Sequence, residues 1–556
     1  MRMFRYFGLL LPALFFSCSS GKQEADLIIH HARIYAVDTA FSSYEAMAVR
    51  NGTILELGSN LEILGKYEAG VTRDAGGKAV FPGFIDAHCH FTGYATDMWK
   101  CHLNGTRSFG EVLERIQAYS EQAPMYWIYG RGWDQNDWEE KEFPDKTRLD
   151  ALFPDRPVFL KRIDGHAALA NQKALDLSGI TARTRVDGGL VEVKQGIMTG
   201  MLLDNAMDLV DHRIPSVSDS LAKLYYTRAQ EICFSYGLTQ VHDCGVSNTT
   251  VRLLRESQDA GALKMKVVAF LSNDPANYET WLRQGPLRTE RLSIAGFKLY
   301  ADGALGSRGA CLLKPYHDQA GWSGFLLSSP EALEKTVQTL ADSPFQLCTH
   351  AIGDSANRQM LKLYAAALKG KNDRRWRIEH AQVVDASDLA FFGQYDIIPS
   401  VQPTHATSDM YWAGERLGGG RIRQAYAYQQ LLKSAGRIAL GTDFPVEAIS
   451  PLNTFFAAVA RQDSSGYPEQ GFAAEQALSR ADALRGMTAW AAHAGFYEKE
   501  KGSLEKRKAA DFIILDTDLM TCPVRDILRA RVLATYIDGE AVFERQESAM
   551  DQKPSQ

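Results

Sequence analysis

Closely spaced cysteine pairs, long blocks of one charge and an apolar run of membrane length are all missing from this chain of 556 residues. Its eight cysteines form no CxxC pair, and apart from Cys18 they stand far apart, at 89, 101, 233, 244, 311, 348 and 522. Such spacing supplies no disulfide framework, and thiols in apolar surroundings like those of Cys233, Cys244 and Cys348 pack as small hydrophobes. The fold is therefore expected not to depend on disulfides. The formal net charge of −6 is spread along the chain, which argues against a phosphate-matching surface and a nucleic-acid partner. No GxSxG elbow and no phosphate-binding loop occur, so a serine nucleophile and nucleotide cradling drop out. With 45% hydrophobic and 23% charged residues, the chain is a globular protein of enzyme size that can bury a large core and act on a small molecule.

The N-terminus, MRMFRYFGLLLPALFFSCSS, places Arg2 and Arg5 before an apolar stretch from Tyr6 to Phe16 that is too short to span a membrane. It reads as a secretory signal over residues 1 to 17. The small residue before Cys18 resembles the signal of bacterial lipoproteins, in which that cysteine carries the lipid. The expectation is an exported, membrane-anchored lipoprotein facing the periplasm or cell surface, touching the membrane only through Cys18, with a polar linker over 18 to 25. Ordinary cleavage with soluble export is the alternative.

Beyond the linker, residues 26 to 57 alternate apolar and polar positions around an Asn51-Gly52 turn, and strands return at 510 to 518 and 532 to 544 around Asp538-Gly539. One small β-sandwich built from both termini is expected, from residues 26 to 78 and 501 to 545, followed by a disordered tail over 546 to 556. Between them, nine apolar runs of strand length alternate with helical stretches, the rhythm of a parallel sheet buried on both faces. After the fifth run Ser329 can cap a helix that Pro330 opens, with Leu333, Val337 and Leu340 on one face. The first and third runs are too far apart for a normal repeat, so the second, 157 to 166, is assigned to an insertion. What remains is an α/β fold, a (β/α)8 TIM barrel over 79 to 500 with an insertion over about 91 to 230 after its first strand.

A parallel barrel presents its chemistry at the C-terminal ends of its strands. The first run, FPGFIDAHCHF, ends in His88 and His90, whose spacing of two on an extended backbone points both imidazoles the same way. Cys89 between them is expected to point into the packing behind the strand. Later runs deliver Lys298, His350, His380 and Asp443. Imidazoles and a carboxylate suit a divalent metal, and a lysine among them is odd, because an ammonium cannot coordinate. Carbon dioxide can convert that amine to a carbamate, which bridges two ions; otherwise Lys298 pairs with Asp302 or another acid and one metal remains.

This constellation resembles the amidohydrolase superfamily, and GRGWDQNDW, RIDGHAALANQKAL, KLYADGALGSRGA, THAIGD, RIEHAQ and GTDFPV resemble the branch containing N-substituted formamide deformylase. The resemblance covers residues 26 to 545. It implies His88, His90, Lys298, His350, His380 and Asp443 as metal ligands, zinc as the metal with one or two ions, and a carboxylated Lys298 if there are two. It also makes His166 a candidate to contact substrate or close the site, the alternative being a structural hydrogen-bonding residue. Ser307 and Arg308, in a glycine-rich loop, and Trp133 are further expected substrate contacts. Trp127, Trp133 and Trp138, with Tyr411 and Trp412, read as an aromatic wall for an apolar substrate or, for Trp127 above all, as a small core inside the insertion. His242 is given a supporting place, while His405 and the remaining histidines carry no signal.

The implied chemistry is hydrolysis of a non-peptide carbon–nitrogen bond, of amide or N-formyl type: metal-activated water attacks the carbonyl, and Asp443 serves as general base and then acid. The alternatives are a deaminase or an ester or lactone hydrolase on the same centre, or a catalytically idle surface-anchored binding protein of the same fold.

Overall fold

In the computed structural model, which describes residues 21 to 123, 126 to 215 and 217 to 546, eight parallel strands form a barrel. In chain order they are Phe84–Cys89, Leu238–Val246, Lys266–Ser272, Leu292–Tyr300, Gln346–Ala351, Arg377–His380, Ile398–Val401 and Ala439–Leu440. Each pairs with the next, from the first through the eighth. The ring closes through Asp443 N–H to His88 C=O at 2.8 Å and His90 N–H to Phe444 C=O at 2.9 Å. Gly441 permits this approach, since a Cβ there would lie 2.5 Å from His88 N. Asp86 stitches the same seam, its Oδ1 accepting from Thr442 N–H and its Oδ2 from the Thr442 hydroxyl.

Side chains facing outward from the strands build the main core against the surrounding helices, and Cys89 lies there with Tyr226 and Cys233, turned away from its two histidine neighbours. The helix Pro330–Ala341 follows the sequence expectation: the Ser329 side chain accepts from Ala332 N–H, and Leu333, Val337 and Leu340 are buried. Inside the barrel, Val268, Phe270, Cys348, Ile398 and Ala439 fill the layer beneath the site. All seven cysteines of the described residues are free thiols.

Two sheets pack on each other beside the barrel, one of four strands from the N-terminal part and one of six from both termini. Leu27, Ile29, Met47, Phe512 and Ile514 share their core. The hairpin turns at Asn51-Gly52 and Asp538-Gly539 form as expected. One boundary differs: Ala79–Pro82 is a strand of the six-stranded sheet and the barrel begins at Phe84. Gly83 makes the joint, because a Cβ there would lie 2.3 Å from the Thr239 side chain.

After the first barrel strand, a six-stranded sheet runs from Cys101–His102 to Ile197–Asp204, with apolar clusters on both faces. The run expected at 157 to 166 is its strand Val158–Arg162. The insertion is narrower than the sequence reading of 91 to 230. Phe91 and Ala95 of one flanking helix, and Tyr226, Ala229 and Cys233 of Asp219–Ser235, pack into the barrel core, not into the insertion. Cys18 and the signal segment lie outside the described residues. No helix of the described residues is long and apolar enough to cross a membrane.

Candidate metal centre

At the C-terminal mouth of the barrel, a cavity of about 1080 Å³ is lined by His90, Lys298, His350, His380 and Asp443, with His166 and His405 joining them. Wholly buried His88 lies beneath it. His88 Nε2 is 3.5 Å and His90 Nε2 3.3 Å from Asp443 Oδ1, an oxygen that is buried and has no hydrogen-bond partner. A tetrahedral ion with donors at ~2.1 Å needs those donors roughly 3.4 Å apart. His88, His90 and Asp443 therefore fit a divalent cation in both donor type and spacing.

His350 and His380 stand beside this triad, their ring centroids 4.6 Å apart, with His380 4.9 Å from His88. His380 Nδ1 is 2.7 Å from Gln402 Oε1 and His350 Nε2 is 3.4 Å from Gly303 C=O, so each ring is anchored through one nitrogen and keeps the other for the cavity. Burial first, and then neighbouring charge, hold the His88, His350 and His380 imidazoles well below their usual pKa; the neighbours are Lys298, His380 and His88 respectively. Neutral imidazole is the form that coordinates a metal. Burial pushes the Asp443 carboxyl up, but the surrounding imidazoles, His88 and His90 foremost, outweigh it and hold it well below the carboxylate range.

Strain gathers here as well. His380 and Asp443 both adopt left-handed backbone, with φ of 70° and 62°, a conformation costing about 1–3 kcal/mol per residue that only surrounding structure sustains.

Lys298 is fully buried, with Nζ 3.4 Å from His88 Nε2 and 4.5 Å from the Tyr300 ring centroid. Its expected partner Asp302 is engaged elsewhere, accepting from the N–H groups of Ile352, Gly353 and Cys311. His166 reaches the cavity from the insertion. Its Nδ1 lies 2.7 Å from Asp204 Oδ1 and its ring 5.0 Å from that of His350. Burial would lower its pKa, but Asp204 more than compensates and raises it.

Three expected substrate contacts are not brought to the cavity lining. Trp133 is buried in the insertion core, donating Nε1–H to Leu160 C=O and packing on Trp138, because its ring completes the apolar face of that sheet. Ser307 is buried with its hydroxyl against Ala304 C=O, and Arg308 turns outward to Asp318 at 2.9 Å, while their neighbour Gly306 does line the cavity. Of the expected aromatic wall only Trp412 lines the cavity, where Tyr300 joins it; Tyr411 instead stacks on Tyr467 in solvent.

His405 is the functional residue that sequence reasoning passed over. It sits in the first turn of the helix Pro403–Asp409, directly after the seventh barrel strand, with Nε2 3.5 Å from Asp443 Oδ2. The available signal was its place in QPTHAT: a helix opening immediately after a barrel strand sets its first turn over the mouth. His242 touches no candidate ligand; its Nδ1 accepts from Arg377 at 3.0 Å inside the barrel.

Comparison with known proteins places the chain. The family model described as "Amidohydrolase family" matches residues 71–543. Protein LONG AFTER FAR-RED 3 of Arabidopsis thaliana is 34% identical, covering 93% of this chain and 92% of its own length. The N-substituted formamide deformylase of Arthrobacter pascens is 28% identical, covering 94% and 99%. Among solved structures, an uncharacterized metal-dependent hydrolase from Pyrococcus horikoshii superposes with a TM-score of 0.72 at 28% identity, over 90% of this chain and 99% of that one.

Proposed function

Since the chain belongs to the amidohydrolase family, we propose that it hydrolyses the amide or N-formyl bond of a small neutral or cationic molecule. The carrying observation is the convergence of His88, His90 and Asp443 on the cavity floor, with Asp443 Oδ1 unpartnered. A divalent cation held there, with zinc suiting the nitrogen-rich donor set, supplies Lewis acidity that polarises a carbonyl and makes water acidic near neutral pH. The remaining work falls to the chain. Asp443, ionised and within reach of both histidine pairs, accepts a proton from the attacking water and returns it to the departing amine nitrogen. His166, fixed by Asp204 on the insertion side, donates a hydrogen bond to the substrate.

Charge along the cavity supports the substrate class. Asp137, Asp187, Asp208, Asp409 and Glu447 line it without a Lys or Arg at ion-pair distance, whereas Arg131 and Arg162 are each paired with lining aspartates. Burial pushes the Asp137, Asp208, Asp409 and Glu447 carboxyls up, Asp409 to about 7, and in their ionised form they would repel a carboxylate substrate.

Lys298 belongs to the same reading. No carboxylate lies at ion-pair distance from its buried amine; burial works against the ammonium, but Tyr300, Cys244, Glu379 and Asp443 nearby outweigh it and raise its pKa, so an ion in the site would have to displace the proton. Loss of the ammonium proton, followed by addition of carbon dioxide with release of a second proton, would turn it into an anionic ligand for a second ion. Added bicarbonate should then raise bound metal by a further equivalent.

The test is a panel of N-formyl amines, simple amides, aminopurines and lactones, assayed for release of amine, ammonia or acid after chelation and metal return. Metal-dependent amine release should dominate. Faster release of ammonia or of acid would overturn the bond assignment, and absence of turnover throughout would favour a binding protein.

A further inference from the structure

The sixth barrel strand carries a buried charge pair whose placement packing alone does not explain. Arg377 and Glu379 alternate on Arg377–His380 and are both fully buried. Arg377 donates Nε–H to Glu379 Oε1 at 2.6 Å and Nη2–H to Oε2 at 2.9 Å. Its other N–H groups reach Ala87 C=O, the Ser400 hydroxyl and His242 Nδ1. Outside this fork Glu379 Oε2 meets His88 Nδ1 at 2.5 Å, and the Ser400 hydroxyl also hydrogen-bonds the carboxylate. Taking such a pair out of water costs several kcal/mol per ion, and apolar residues of similar volume often serve stability as well or better. A stability role is therefore a weak account of this pair.

The four imidazoles expected to hold metal, His88, His90, His350 and His380, are anchored by different groups. His90 Nδ1 meets the Cys244 backbone carbonyl at 2.8 Å, His380 Nδ1 the Gln402 side-chain carbonyl, and His350 the Gly303 carbonyl. Those three partners are neutral. Among these four, His88 alone is anchored by a carboxylate, and by one that a bidentate guanidinium holds in a fixed orientation.

Resting on the metal-centre reading above, we propose that Glu379, fixed by Arg377, is a positioning residue for His88. By accepting the Nδ1–H it sets the tautomer that leaves the Nε2 lone pair facing Asp443 Oδ1, and it makes His88 the most electron-rich donor of the set. Arg377 and Ser400 act one step behind, on the carboxylate and not on the imidazole. The RIEH segment thus holds two functions in adjacent letters: a cavity-facing histidine, His380, and the support of a different one, His88.

The experiment uses the full chain, stripped of metal and titrated with zinc against a competing chelator, and with cobalt followed by its visible spectrum. Glu379→Gln should weaken zinc binding by about 10- to 100-fold and alter the cobalt bands, while Gln402→Ala, at His380, should weaken it less. Thermal melting of the metal-free proteins separates this from a folding defect. If Glu379→Gln folds poorly, Ser400→Ala, which removes a hydroxyl that contacts both Arg377 and Glu379, should still shift the cobalt bands in the same direction. Zinc affinity within twofold of the parent, with unchanged cobalt bands in either folded variant, would overturn the proposal while leaving the metal centre standing. Failure of the parent to bind zinc or cobalt would instead remove the metal-centre reading beneath it.

Discussion

At the sandwich end of the barrel, Lys266 opens the third strand with its amine 2.8 Å from both Asp511 oxygens and 2.6 Å from Asp538, while Arg291, just before the fourth strand, approaches Asp538. At the opposite end, Asp443 Oδ1, His405 Nε2 and Gln402 Nε2 are buried without partners, and Lys298 lacks an acid. Both ends bury charge at the edges of the same strands. One end ties most of its charges to one another and so fastens two domains together, with Asp538 Oδ2 left to a 3.5 Å approach from Arg291; the other leaves donors and acceptors beside a cavity, which costs stability unless something enters it. Unsatisfied polar atoms that line a cavity, Asp443 Oδ1 and His405 Nε2, more than charge itself, mark the working end.

The sharpest way to break this comparison is Asp443→Asn. Turnover should fall by about a hundred- to ten-thousand-fold, the usual range for losing a general base, with the melting temperature barely changed and most metal retained. Full activity in that variant would end the assignment. At the other end, Lys266→Met strands Asp511 and Asp538 and should cost about 3–5 kcal/mol in denaturant unfolding, with kcat/KM per folded molecule unchanged. If instead activity dropped and stability held, the division of labour between the ends would be wrong.

The division was legible from sequence only where a residue ended an apolar run. His88, His350 and His380 close buried strands, and Asp443 follows the eighth, so strand ends alone located them. His405 lies one turn into a helix, where no strand period applies. Glu379 and Arg377 were hidden inside a run read as apolar, though a charged residue in a buried strand must have a partner. Trp133 misled in the other direction: an aromatic cluster fits a cavity wall and a sheet core equally, and only the pairing of Ile128–Trp133 with Val158–Arg162 decides. The fold was clearer, since nine runs with one misplaced by spacing already imply eight strands and an insertion.

A milder effect should appear at the sandwich end. Burial, with Lys266 adding to it, pushes the Lys501 amine down to about 8 from its usual 10.5. The folded pKa lies below the unfolded one, so the folded state bears the cost of the charge throughout neutral pH, and that cost fades as pH rises from about 8 to about 10.5. Lys501→Met should therefore stabilise at pH 7 by about 2–3 kcal/mol, a gain that shrinks toward zero near pH 10.5, as urea unfolding at the two pH values would show. A pH-independent gain would point to packing alone.

The smallest effect is expected where the ligand types are the same but the setting is not. His30, His31 and Asp74, on the sandwich, bring two imidazoles and a carboxylate within 4.8 Å, as His88, His90 and Asp443 do. The positive φ of His31 turns consecutive histidines together, their Nδ1 atoms 3.2 Å apart, and Asp74 Oδ2 lies 2.9 Å from His31. Yet His31 and Asp74 are more than half exposed, so water competes for each donor and no cavity excludes it. Replacing both His30 and His31 by alanine should leave metal content at stoichiometric zinc, and kcat, unchanged, whereas His88→Ala should lose both. Loss of a full metal equivalent from the double variant would show that residue identity outweighs burial in this chain.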